Sequence, residues 1–350
     1  MSNESSKYLI SAIISTYNSE RFIRGKIEDL LQQTIFDKLE IVIVNSGSQQ
    51  NEEEIIKEYI EKYPNIKYIR TEERETIYKA WNRGIKISNG KYITNTNTDD
   101  RLKENALEIL STELEKYPNV GVVYADQYIT TMQNQGYREA NNNKIYYFPH
   151  YKFIHLLERC LIGSQPIWRA SIHFSDAIWF NEKFEVCGDH DFYIRVAERY
   201  ELKHLELVLG TFYKSPDRTN KEYQNVKKTY FEGFSNTFYH TQKFVNSLSQ
   251  VETKKFFNKN IFFVSMPLLW YKVYNKTRLS LFPNAHFQYP EYSFLLIVLI
   301  YKKWNDAENV KKYANKFLKW GKSVRIKRVL DSTKSKSDFI KPILELNDNE

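Results

Sequence analysis

Over its first 125 residues the chain alternates short apolar runs with stretches in which apolar positions recur every three or four residues. Short apolar runs bounded by polar turns suit strands covered on both faces, and the longer period suits helices with one buried stripe. The pattern predicts strands at 8–14, 39–44, 66–70, 91–95 and 120–124, separated by helices at 20–33, 52–62, 76–88 and 103–116. Asn51, followed three positions later by Glu54, predicts a side-chain cap on the second helix. This alternation points to an α/β domain, an open and mostly parallel sheet with helices on both faces. Residues 131–144, rich in Asn and Gln, predict a surface loop, after which a helix at 192–200 and a strand at 205–212 resume the pattern. Past residue 220 the alternation stops, and helical patterning follows at 226–243, 256–273, 292–303 and 307–320, the last two read as an antiparallel hairpin. The expected organisation is an α/β domain over residues 1–220 and a helical domain over residues 221–350.

Charge divides at the same place. Up to residue 220 there are 28 Lys and Arg against 32 Asp and Glu, a net −4; beyond it there are 23 against 11, a net +12. The basic rear half interleaves aromatic residues, as at Trp270, Tyr271, Lys272, Lys319, Trp320, Lys322, Arg325, Lys327 and Arg328. Three readings compete for it: a face resting on anionic lipid, an interface with a partner or a second copy of the chain, or a cover for the sheet domain. No recognised nucleic-acid-binding motif accompanies the charge, so nucleic acid is not expected. Cys160 and Cys187 form neither a CxxC pair nor a cluster with His, which argues against a disulfide framework or a structural zinc and for a reducing, cytoplasmic setting. The polar start does not read as a secretory signal, and the apolar run 294–301 is far short of the ~20 residues that span a bilayer.

Open parallel sheets bind ligands beyond the carboxyl ends of their strands. At three of those ends stand Ser15-Thr16-Tyr17-Asn18, Asn45-Ser46-Gly47-Ser48 and Asn95-Thr96-Asn97-Thr98-Asp99-Asp100. Any one of these clusters could be a turn and nothing more. The third resists that account, because adjacent carboxylates at a buried strand end repel one another unless a cation lies between them. Hard oxygen ligands on one short segment suit Mg2+ or Mn2+, bound through one or two carboxylates and the oxygens of a diphosphate. Neither a GxxxxGK[ST] nor a GxGxxG motif occurs. Downstream, Gly188-Asp189-His190-Asp191 opens a helix, where an Asp is read either as a cap or as a general base.

Taken in order, Ile14-Ser15-Thr16-Tyr17-Asn18, then residues 76–85 with Lys79, Trp81, Asn82, Arg83 and Gly84, then Asn89-Gly90-Lys91-Tyr92-Ile93 and Asn97-Thr98-Asp99-Asp100, resemble the nucleotide-sugar half of glycosyltransferase family 2 over roughly residues 8–215. The resemblance implies a GT-A fold, a Rossmann-like sheet, and inverting transfer from a nucleotide sugar, with UDP the favoured nucleotide. It implies that Thr16, Tyr17, Asn18, Asn45, Ser46, Asn97 and Thr98 lie against the nucleotide, with Asn45-Ser46 standing where relatives commonly carry two acids. Asp99 and Asp100 become the metal and diphosphate residues, and Asp189 the base that takes the acceptor's proton. Arg74 is read as a diphosphate partner or a solvated side chain, and Asn82 and Gly84 as structural. Around the base, Gly188, His190 and Asp191 are placed near sugar or acceptor, with Asp191 orienting Asp189 or pairing with Arg195. The segment Gly163-Ser164-Gln165-Pro166-Ile167-Trp168-Arg169 resembles a loop facing sugar and acceptor, so Trp168 is expected to stack on a pyranose ring and Gln165 and Arg169 to bind hydroxyls, with a structural Trp168 as the alternative. Lys214-Ser215 replaces a metal-binding histidine found in many relatives. The implied acceptor is a glycan, a lipid-linked saccharide or a protein. Two rivals remain in view: a nucleotide- or carbohydrate-binding domain without catalysis, and a sugar nucleotidyltransferase, which residues 15–24 disfavour because they lack a Gly-rich basic loop.

Overall fold

A computed structural model of the chain describes residues 7–217 and 226–255, with short stretches at 224, 258, 299–301, 303–306 and 308–309. The chain divides into two compact units, Met1–Leu156 with Cys160–Asn220, and Leu157–Arg159 with Lys221–Glu350. To residue 217 the elements run β1 (Tyr8–Thr16), α1 (Glu20–Leu31), β2 (Leu39–Asn45), α2 (Glu52–Ile60), β3 (Ile66–Arg70), α3 (Ile77–Lys86), β4 (Gly90–Asn95), α4 (Ala106–Lys116), β5 (Val120–Thr130), β6 (Ile145–Tyr146), α5 (Phe153–Glu158), β7 (Ile167–Arg169), α6 (Ser171–Phe174), α7 (Gly188–Ala197) and β8 (Glu201–Tyr213). All eight strands join one sheet in the order β3-β2-β1-β4-β7-β5-β6, with β8 also paired to β5. The β1–β2, β1–β4, β2–β3 and β5–β8 pairs are parallel, and β6 and β7 enter antiparallel. The mostly parallel α/β sheet expected from the alternation is therefore present.

Alternation along β1 explains the layers, since successive residues of a strand face opposite sides. Ile10, Ala12 and Ile14 join the core that includes Ile23, Ile27 and Leu30 of α1 and Leu107, Leu110 and Leu114 of α4. Ile13 faces the other way and receives α3, whose Gly84 comes so close that an added Cβ would stand 2.7 Å from Ile13 Cγ2 and 3.2 Å from Val44 Cγ2. Elements depart from their expected bounds where distant groups intervene. The fourth helix begins at Ala106 rather than at 103 because the Lys103 N–H goes to Leu209 O (2.9 Å) and Leu102 bridges Gly210. β5 runs on to Thr130 because β8 pairs with it along its length, past register shifts at Ala125 and Asp126. Asn51 makes no side-chain cap; its amide donates instead to Glu20 Oε1 (3.3 Å). Thr76 does cap α3, accepting from Lys79 N at 3.2 Å.

The second unit contributes the helix Val226–Ser247. The expected helices at 256–273, 292–303 and 307–320 and the basic aromatic residues from Trp270 onward fall almost wholly outside the described residues. Among the described residues no helix is long and apolar enough to cross a membrane.

An aromatic cluster fills the space beside β7. Trp168, Phe180 and Phe192 pack edge to face or stacked, and His173 stacks on Phe192 with ring centroids 5.3 Å apart. Trp168 Nε1–H donates to His173 Nε2 at 2.8 Å, which fixes the imidazole as an acceptor there. Burial pulls His173 down from 6.5 to about 3. Between those values the unfolded chain takes up a proton that the folded one refuses, so stability is full above about pH 6.5 and is lost as pH falls toward 3. The expected slope is about 1.4 kcal/mol per pH unit. His173→Gln keeps an acceptor for Trp168 but cannot titrate, so thermal denaturation from pH 7 to pH 4 should fall more steeply in the wild type than in this variant.

Candidate active site

Register brings three strand ends to one rim: Thr16 lies beside Asn45, and Ile13 beside Asn95. Buried Glu52, at the start of α2, ties the first two loops together by accepting from Ser19 N (2.6 Å) and Ser48 Oγ (2.5 Å), with Thr16 Oγ1 at 3.5 Å. Asn18, at φ 50°, donates its N–H to Ser48 Oγ (3.0 Å) and accepts from Gln49 N (3.0 Å) through Oδ1. Gly47 has φ 65°, and a Cβ there would stand 2.9 Å from Glu72 O, so glycine meets both demands of this turn. The buried Asn45 amide donates to Tyr68 Oη (3.1 Å) and accepts from Ser48 N (2.8 Å), which commits it to building the loop. Ser46 is buried with its Oγ unpartnered. Exposed Arg74 lies 4.3 Å over the Tyr17 ring, a cation–π contact that joins two residues expected against the nucleotide.

The acid pair follows β4. Asp100 is buried; its Oδ1 accepts from Tyr213 N (2.8 Å) and its Oδ2 from Asn97 Nδ2 (3.3 Å). Asp99 has its own backbone amide for a donor, and burial together with the neighbouring Asp100 charge pushes its carboxyl up to about 7, against the pull of Lys26 and Arg101. Burial raises Asp100 as well. These two cations were not among the expected site residues. Lys26 is fully buried in α1, with Nζ 2.8 Å from Gln165 Oε1 and 3.0 Å from Asp29 Oδ2; burial lowers its amine, opposed chiefly by Asp29. Arg101 is buried beside them, and burial lowers it too. The available signal was a lysine inside the apolar stripe of Phe22, Ile23, Ile27 and Leu30, a place where charge is tolerated only when paired.

Asp189 sits at the start of α7, where its Oδ1 accepts from His190 N (2.8 Å). Tyr78 Oη, whose proton goes to Val186 O (2.5 Å), stands 3.4 Å from the same oxygen. Gly188 makes room for that tyrosine, since a Cβ would meet its ring at 2.8 Å. Tyr78 lies in the first turn of α3, and a crossover helix between parallel strands begins at their carboxyl rim. Asp189 is thereby tied to the rim that carries Asp99 and Asp100. Asp191 pairs with Arg195 at 2.5 Å, and the His190 ring nitrogen reaches Leu156 O at 2.5 Å inside the fold. The Asn82 amide pins the 180 segment, donating to Phe180 O (2.8 Å) and accepting from Phe180 N (3.1 Å). Ser215 is buried and Lys214 exposed.

Two sugar-contact expectations are corrected. Trp168 is 0% exposed on β7, enclosed by the aromatic cluster, and has no face to offer a ring. Arg169 pairs with Tyr92 near the start of β4, away from the rim, and its guanidinium donates to the carbonyls of Val120 (2.8 Å), Leu114 (2.5 Å) and Tyr117 (2.9 Å). Gln165 does lie by the rim, but it is buried between Lys26 and Arg101 O (3.1 Å).

Residues 11–173 match the family model for glycosyl transferase family 2. The chain is 26% identical over 265 residues to an uncharacterised glycosyltransferase of Methanocaldococcus jannaschii, covering 75% of this chain and 86% of that protein. It is 28% identical over 228 residues to a chondroitin synthase of Pasteurella multocida, covering 64% of this chain and 22% of the synthase, so it spans about a fifth of that relative's length. Among solved structures, S. aureus TarS 1-349 in complex with UDP-GlcNAc superposes with a TM-score of 0.56 at 16% identity, covering 89% of this chain and 91% of that one. The mannosyltransferase PcManGT from Pyrobaculum calidifontis in complex with GDP-Man and Mn2+ gives 0.52 at 15% identity, covering 94% and 89%. The shared architecture is the GT-A fold.

The burial of Trp168 separates packing from ligand contact. Trp168→Phe should destabilise the fold by about 1–3 kcal/mol, chiefly by leaving the buried His173 acceptor unpaired, with affinity for a nucleotide sugar, relative to the bare nucleoside diphosphate, unchanged in isothermal titration. A selective loss of affinity at unchanged stability would restore the sugar-stacking role.

Proposed function

The chain belongs to glycosyltransferase family 2 through its N-terminal domain, and from that premise we propose that it performs metal-dependent, inverting transfer of a sugar from a nucleoside-diphosphate donor to an acceptor hydroxyl in surface-glycan synthesis. The observation that carries this reading is the acid pair: Asp99 and Asp100 stand side by side beyond the end of β4, and burial together with Asp100 raises Asp99 to about 7, so that a cation between them would restore the charged form. Two adjacent carboxylates fit Mg2+ or Mn2+. Among the described residues no third His, Cys, Asp or Glu joins them in a metal-binding group, so diphosphate oxygens and water would complete the shell. When bound at Asp99 and Asp100, such a cation supplies charge stabilisation for the departing diphosphate.

The chain's own residues do the rest. Thr16, Tyr17, Asn18, Ser46, Arg74, Asn97 and Thr98 border the nucleotide, Asn45 shapes its loop, and His190 and Asp191 stand beside the base at the start of α7. Asp189 accepts the acceptor hydroxyl's proton as that oxygen bonds to the anomeric carbon. The bond from that carbon to the diphosphate breaks on the opposite side, its electron pair leaving with the diphosphate, which inverts the configuration through an oxocarbenium-like transition state. The His190 amide, 2.8 Å from Asp189 Oδ1, orients the carboxylate. UDP-sugars are the favoured donors, supported by the UDP-GlcNAc complex of TarS, and a glycan, lipid-linked saccharide or protein is the acceptor class. The net +12 beyond residue 220 supports work at the cytoplasmic face of an anionic membrane. Asn97, whose amide is spent on Asp100, favours a second reading as a nucleotide-binding domain without turnover.

A panel of UDP- and GDP-sugars with Mn2+ or with EDTA distinguishes these readings by release of nucleoside diphosphate, which is expected only with Mn2+. Asp189→Asn should cut transfer by about a thousandfold while leaving Mn2+-dependent nucleotide binding intact. Asp99→Ala should weaken that binding itself. Wild-type turnover in Asp189→Asn would remove the assignment of the base.

A further inference from the structure

Behind the acid pair, one guanidinium holds the turn that presents it. Arg101 Nη1 donates to Thr98 O (2.8 Å) and to Asp100 O (2.7 Å), so it bridges the carbonyls on both sides of Asp99. The far end of the turn is fixed by Asp29, whose two oxygens accept from Leu102 N at 3.1 and 3.0 Å. Arg101 O accepts from Gln165 Nε2 (3.1 Å) and Thr211 N (2.7 Å). Arg101 Nη2 donates to Asn134 Oδ1, and Asn134 Nδ2 donates to Arg21 O at 2.8 Å. An exposed residue of the Asn-rich loop therefore grips a buried guanidinium at one end of its amide and the first turn of α1 at the other.

Two glycines leave room for this arrangement. A Cβ at Gly25, inside α1, would stand 2.6 Å from Arg101 Nη2 and 3.0 Å from Asn134 Oδ1; a Cβ at Gly210 would stand 2.8 Å from Arg101 O. Glycine inside a helix is destabilising relative to alanine, so its presence at 25 favours the guanidinium passing there over the helix itself. Arginine's planar fork reaches two carbonyls and a side-chain amide together, which a lysine ammonium on a flexible stem does not do with fixed geometry.

We propose that Arg101 is a positioning residue for the Asp99–Asp100 turn, and that the 131–144 loop, through Asn134, holds Arg101 in place and so sets the cation affinity of the site. This rests on the reading of Asp99 and Asp100 as cation-binding residues. Groups that orient metal ligands from behind typically change affinity about 10- to 100-fold when altered. Binding of Mn2+ to the full chain, alone and with UDP, can be followed by the electron paramagnetic resonance of free Mn2+, with amide hydrogen exchange at residues 97–101 as a second readout. Asn134→Ala, a change at an exposed position, should weaken Mn2+ binding about three- to tenfold and speed exchange at 97–101, with the melting temperature nearly unchanged. Arg101→Lys should weaken binding about tenfold or more. Asp99→Ala, the control, should abolish it. If Asp99→Ala loses Mn2+ while Asn134→Ala binds it within twofold of wild type at unchanged exchange, the positioning role is wrong and the acid-pair reading stands. If Asp99→Ala binds Mn2+ like wild type, or wild type binds none in either condition, the acid-pair reading fails and the positioning role fails with it.

Discussion

The parallel register of β1 between β2 and β4 is the constraint on which the remaining structure rests. Side chains of a strand alternate faces, so a slip of one residue would send Ile10, Ala12 and Ile14 to the layer that receives α3 and turn Ile13 toward α1 and α4. Burial on both faces forbids that slip. The same register aligns Thr16 with Asn45 and sets the end of β4 beside them, so correct packing of the interior and convergence of three polar loops are one event. Glu52 and Asp29 then work on loops that the sheet has already brought together.

Charge under the rim is arranged before any ligand arrives. Lys26, Asp29, Arg101, Asp99 and Asp100 share a region that water reaches poorly, with three acids against two bases. A buried group whose partner is removed costs about 3–5 kcal/mol, so each member is retained by the others. Fixing polar groups in advance of the charge they will meet is how a site avoids reorganising during reaction, and the stiffness of the 98–102 turn serves that end.

Much of this was legible along the chain, for identifiable reasons. β1 to β4 and α1 to α3 carry their signals locally, in apolar runs and in periodic stripes, and the Asn97–Asp100 segment announced itself by two adjacent acids that no ordinary turn requires. Trp168 was misread because nothing local reveals that residues 167–169 form a short antiparallel strand inserted between β4 and β5, which turns the indole inward. Asn134 looked like loop filler because its partners lie 33 and 113 residues away in sequence. The start of α4 moved for the same kind of reason, an amide drawn off by Leu209. Lys26 was the exception: a lysine among Phe22, Ile23, Ile27 and Leu30 is a visible conflict between pattern and charge, and such conflicts mark places where polar groups are satisfied by distant partners.

The β3 margin of the sheet has a consequence for life in a crowded solution. A strand with an unpaired side is a template on which a foreign strand can add, the first step toward fibrils. Here that margin is only five residues long and carries two basic side chains already engaged: Lys67 with Glu40 at 2.7 Å, and Arg70 with Ser48 O at 2.8 Å and Glu53 at 3.1 Å. A stranger docking along Ile66–Arg70 would have to strip those ions of their partners or lie against them, so the border that finishes the sheet also discourages its growth.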